Sequence, residues 1–61
     1  SIERAIVEGL KLATKIGERT AIKAAREAIR QKLTTLNKIG KVAKELGLDS
    51  YLTKYFEAIV A

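Results

Sequence analysis

Sixty-one residues, 48% hydrophobic and 31% charged, describe one folded domain spanning 1–61, near the lower size at which a core alone offsets chain entropy. Without cysteine no disulfide supports it, and the joint absence of Cys and His removes the thiol nucleophile, the usual general base and the common transition-metal ligands. A net charge of +5 and a pI near 9.8 favour an acidic partner, whether nucleic acid, anionic membrane or protein, and also keep a small chain dispersed.

In chain order, Ser1 can cap a first helix over about 2–16. Its buried stripe is expected to be Ile2, Ala5, Ile6, Leu10, Ala13 and Ile16, with Val7 off the stripe and Gly9 within it as a point of close helix approach. Gly17 reads as the left-handed residue that ends this helix, and Thr20 as the N-cap of the next.

The second helix, about 20–34, buries Ile22, Ala25, Ile29 and Leu33, a spacing of three and four that continues to Leu36. Thr34, Thr35 and Asn37 lower helix propensity, so a break there starts a third helix over 36–46 with Leu36, Ile39, Val42 or Ala43, and Leu46 as its seam. Because the apolar spacing is unbroken from Ile22 to Leu46, one long bent helix is the alternative.

Gly47 closes the third helix, with Leu48 as the hydrophobic residue that follows a glycine C-cap. Asp49 or Ser50 then caps a fourth helix over 50–60, whose Tyr51, Leu52, Tyr55, Phe56 and Ile59 gather all three aromatics into the core. Joining Ala61 to Ser1 would carry the seam Phe56, Ile59, Ile2 and Ile6 on in helical phase, a pattern open to three readings: coincidence, termini that lie close together, or ends trimmed to an ordered core. The chain is therefore predicted to be all-α: a compact bundle of four short helices, or three with a long bent second one.

One surface pattern stands out. Arg19, Lys23, Arg26 and Arg30 fall at i, i+4, i+7 and i+11, which places all four within about 60° of one another along about 16 Å of helix. Like charges four apart are mildly destabilising, and only Glu18 and Glu27 stand nearby to offset them. Two readings follow: a solvated charged face, or a row of phosphate contacts with Lys15, Lys38, Lys41 and Lys44 in reserve.

Chain-wide, the lack of Cys, His, Met, Pro and Trp and the heavy use of Ala, Ile, Leu, Lys, Arg and Glu resemble computationally designed or idealised helical bundles. Hyperthermophile composition is the natural counterpart. The stretch Val42-Ala43-Lys44-Glu45-Leu46-Gly47-Leu48 with the helix after it, about 42–57, resembles the helix-turn-helix of DNA-binding proteins, which favours Ala four residues before the turn glycine. It departs in having Thr53 where that pattern wants an aliphatic residue, and its second helix offers only Ser50, Thr53, Lys54 and Glu57 as polar groups. The repeat of Lys15-Ile16-Gly17 as Lys38-Ile39-Gly40 is similar to the turn of helix-hairpin-helix modules, but both copies carry lysine in place of the first glycine.

No pair of carboxylates is spaced for acid–base work and no Gly-rich phosphate loop occurs, so neither catalysis nor a cofactor, metal or small-molecule substrate is expected. Lys32, beside the apolar face of the second helix, is expected to snorkel. The apolar runs are far too short to cross a bilayer and no signal peptide is visible, which points to a soluble, cytoplasmic protein. The leading expectation is a non-catalytic scaffold whose role is its fold or self-association as a homo-oligomer. Nucleic-acid binding through the basic stripe is the alternative; a cationic membrane-active peptide is weaker, given the mixed charges.

Overall fold

The computed structural model describes residues 1–61 and contains α1 (Ile2–Lys11), α2 (Ala13–Ile16), α3 (Glu18–Arg30), α4 (Leu36–Glu45) and α5 (Asp49–Val60), with no strand. The expected break between the second and third long helices is present, so the architecture is a bundle of four principal helices with α2 as a single extra turn. α1 packs against α3, α4 and α5, and α5 packs against α3 and α4, so α3 and α4 stand on opposite flanks of the α1–α5 pair.

Side chains that meet on α1 make the centre of the core. Leu10 and Val7 on α1 and Ile39 on α4 are the largest side chains fully withdrawn from solvent. Around them lie Ile6, Ala13, Leu52, Tyr55, Ile59 and the alanines Ala21, Ala25 and Ala28 of α3. Val7 thus lies inside the core and not beside it. A helix with partners on three sides buries a wider arc than one stripe, and the buried face is turned toward Val7 and away from Ala5, which is exposed. Ile2 and Ile16, at the two ends of the expected stripe, are also exposed.

The single helix expected over 2–16 is kinked at Leu12 (φ −95°, ψ 9°), whose carbonyl accepts from both Lys15 (2.9 Å) and Ile16 (3.0 Å). The kink swings α2 onto α3 and buries Ala13 completely. Only Gly17 then separates α2 from α3, at φ +108°, a conformation that side chains with a Cβ rarely adopt. α3 begins at Glu18, so Thr20 lies within its first turn and is not the N-cap.

α3 ends at Arg30, four residues before the expected end, in a Schellman motif: Leu33 N–H donates to the Ala28 carbonyl (2.9 Å) and Lys32 N–H to that of Ile29 (3.0 Å). Lys32 occupies the left-handed position at φ 60° and is exposed, which replaces the expected snorkelling. Leu33, one residue on, is 59% exposed and outside the core to which its spacing assigned it. The same motif ends α4 as expected, with Gly47 at φ +69° and Leu48 N–H donating to the Ala43 carbonyl (2.8 Å).

Thr35 caps α4, its hydroxyl accepting from Lys38 N–H (3.2 Å), as Ser1 caps α1 by accepting from Arg4 N–H (3.2 Å). For α5 the N-cap is Leu48, without a side-chain cap, and Asp49 sits in the first turn, where its charge complements the helix dipole. Tyr55 is buried and Tyr51 half-buried, but Phe56 is 42% exposed, so the aromatics do not share one core site. Gly9 is not a point of close approach either, since nothing lies within 4 Å of where its Cβ would be.

Replacing Lys32 by Gly should stabilise the fold by about 0.5–1 kcal/mol, because the left-handed backbone strain exceeds the entropy that glycine adds to the unfolded chain. Gly9→Ala should add about 0.5–1 kcal/mol through helix propensity. Both are read as raised denaturation midpoints at an unchanged slope, whereas Leu10→Ala should cost about 2–5 kcal/mol and leave little of the native state in so small a domain.

Candidate phosphate-binding surface

The four residues of the basic stripe share one exposed side of α3, as their spacing required, but they are not equivalent. Arg26 reaches across to the end of α5, its Nη1 donating to the Ala58 carbonyl (2.9 Å) and its Nη2 to that of Ala61 (3.5 Å). There it supplies donors to carbonyls at the end of α5, and a positive charge at the negative end of the helix dipole.

Arg30 is engaged differently. Its Nε donates to Glu27 Oε2 (3.1 Å) and its Nη2 to Glu27 Oε1, while Gln31 Nε2 donates to the same carboxylate (2.7 Å). First the Arg30 guanidinium and then the Gln31 amide hold the Glu27 carboxyl down to about 2, and the same carboxylate raises the Arg30 pKa. The only other ion pair is Arg4–Glu8 on α1, at 2.8 Å.

Arg19 and Lys23 are therefore the two stripe residues without a bonded partner, and with Arg26 they line an open depression of about 720 Å³ next to Gly17. Glu18, at its edge, accepts a 2.6 Å hydrogen bond from the Tyr55 hydroxyl of α5. That bond is the main cause of the raised Tyr55 pKa, with burial and the carboxylate's charge adding to it.

A second basic surface occupies the opposite flank. Lys38, Lys41 and Lys44, with Leu36, Asn37 and Gly40, line a depression of about 510 Å³ on α4. None of the three makes an ion pair. Lys38 does act at a distance on Glu3 of α1, whose carboxyl lies below its usual range chiefly because of the Thr34 hydroxyl and then its own N–H. Thr34, buried between α3 and α4, falls short of a hydrogen bond of standard geometry to any group, so its hydroxyl stabilises Glu3 only loosely.

The remaining sequence patterns separate. Lys15-Ile16-Gly17 ends α2, whereas Lys38-Ile39-Gly40 lies inside α4, so the repeat has no common structure. α4 and α5 are joined by Leu46, Gly47 and Leu48, and the exposed start of α5 carries Asp49, Ser50, Thr53 and Lys54, a nearly neutral set in which the Thr53 hydroxyl donates back to the Asp49 carbonyl (3.1 Å). No cluster of three His, Cys, Asp or Glu could hold a metal ion, and no helix is long and apolar enough to cross a membrane.

What the spacing of the chain did not single out is the α4 face. Asn37, Gly40, Lys41 and Lys44 recur at i, i+3, i+4 and i+7, a helical face as regular as the α3 stripe but interrupted by the glycine. No family model, curated protein or solved structure matches this chain.

Tyr55 ties a pH dependence to this geometry. Its pKa is raised on folding, so its bond to Glu18 contributes stability that is fully present below the unfolded value near pH 10 and is lost as pH rises through the folded value. Thermal unfolding of wild type and Glu18→Gln should differ most at neutral pH, with wild type the more stable, and converge above pH 10. Equal melting temperatures at pH 7 would contradict the bond.

Proposed function

We propose that this chain works without catalysis, as a helical scaffold whose role is its fold and its association with a second copy of itself. The observation that carries this reading is a groove of about 390 Å³ between α1 and α3, lined by Ile2, Ala5, Ile6, Ala24, Ala28 and Leu33. A chain with only 13 buried residues leaves this apolar strip open, although burying it would add to a small core. Its polar rim is Glu27, neutralised by Arg30, and the uncharged Gln31. Two copies can therefore meet there without bringing their excess positive charge together, which a contact through α4 would do. The idealised composition, free of chemically reactive side chains, fits the same role.

Light scattering or sedimentation equilibrium tests it. Wild type should shift from monomer to dimer with rising concentration, and Ala24→Glu, on the exposed wall of the groove, should remain monomeric with its melting temperature at low concentration unchanged. A monomer at every concentration would refute self-association through this face.

A second reading is nucleic-acid binding through the phosphate backbone. It is favoured by the number of exposed cations, Arg19, Lys23, Lys38, Lys41 and Lys44, that no carboxylate of the same molecule pairs with.

A further inference from the structure

We infer that the phosphate-binding surface of this protein is the lysine face of α4, built by Lys38, Lys41 and Lys44, and that its ligand is the sugar–phosphate backbone of double-stranded nucleic acid; this rests on the second reading above.

Three observations converge on α4 over the α3 stripe. First, two cations of the stripe have structural employment: Arg26 closes the end of α5 and Arg30 is held by Glu27, so recruiting either to a phosphate would break bonds that the fold already uses. The three α4 lysines break nothing on binding.

Second, Gly40 has no packing reason to be glycine. A Cβ there would meet only Leu52 Cδ2, at 3.7 Å, an ordinary contact, while glycine inside a helix costs about 1 kcal/mol relative to alanine. What the missing side chain does provide is an open margin of the depression, on its side toward α5 and next to Lys44 and Lys41, where a phosphate can come down to the helix surface. The rise from Lys38 to Lys44 is about 9 Å, enough to reach two successive phosphates of one strand.

Third, the face carries nothing for another kind of ligand. It has no aromatic to stack a base and no carboxamide beyond Asn37 to read base edges, so contact is confined to the backbone and is independent of sequence. None of the exposed large hydrophobic residues lies within α4, so there is no apolar group to insert into a lipid surface. Because α3 stands on the opposite flank, a duplex seated on α4 leaves Arg19 and Lys23 facing away from it.

The test is fluorescence anisotropy of the full chain with a labelled mixed-sequence 20-base-pair DNA duplex, titrated at several salt concentrations, with two charge-matched double variants and a side chain added at Gly40. Lys41→Gln with Lys44→Gln should weaken binding at low salt by at least tenfold and reduce the log–log salt slope by about 2, since each phosphate contact contributes about 0.9. Arg19→Gln with Lys23→Gln removes the same charge and should change affinity by less than threefold. Gly40→Leu, checked by circular dichroism for retained helix, should weaken binding to the duplex.

An equal loss in both double variants, or an unchanged affinity in Gly40→Leu, would overturn the assignment to α4 while leaving nucleic-acid binding intact. Absence of duplex binding at low salt would remove both. Tighter binding to vesicles containing phosphatidylserine than to the duplex would assign the lysines to a membrane surface and overturn the inference.

Discussion

The packing of one short helix on three others is the constraint from which the rest of this structure follows. α1 presents Ile6, Val7 and Leu10 to α3, α4 and α5 together, and Val7 and Leu10 lose all contact with water there. In a chain with so few buried residues no second cluster could substitute for it. The large side chains are concentrated on α1 and on the facing sides of α4 and α5, while α3 meets them with Ala21, Ala25 and Ala28, whose small size lets its backbone come near. Once α1 takes the middle with α5, α3 and α4 can only flank the pair, and each turns its charged side outward. The two basic surfaces are thus a consequence of the core, and their separation is too.

Much of this arrangement is legible in the chain, because it depends on local rules. The all-α class, the break after the second long helix, the Ser1 cap and the Gly47–Leu48 ending of α4 are each encoded by the type and spacing of a few adjacent residues. What is not legible depends on which neighbours surround a helix. Val7 falls off the stripe that contains Ala5, and the presence of partners on three sides of α1 turns the buried face so that Val7 is buried and Ala5 is exposed. Lys32 is a poor residue for a left-handed turn, so the end of α3 carries no sequence signal until the Leu33-to-Ala28 bond reveals it. Leu33 and Phe56 follow the helical spacing faithfully, yet lie beyond the reach of a core this small.

The basic surface illustrates how periodicity finds a face without saying how it is used. The four cations of α3 share a side of the helix, but two of them complete the fold: Arg26 satisfies carbonyls at the end of α5, and Arg30 neutralises Glu27. A cation bound to its own molecule has less to offer a phosphate than one held only by water, since the existing bonds must break first. By that criterion the lysines of α4, which look like spare charge in the sequence, form the more available surface, and the otherwise costly Gly40 at its margin acquires a reason.

Native-state hydrogen exchange reads the central role of α1 most directly, because amides that open only with global unfolding mark the element on which the fold depends. The slowest-exchanging class should contain Val7 and Leu10 together with Ile39 and Ala43, all exchanging at the rate set by global stability, while α2 and the first turn of α5 exchange faster through local opening. If α3 retained its slowest amides while Val7 and Leu10 exchanged rapidly, α1 would be a peripheral helix laid on a core made by the others, and the account given above would be wrong.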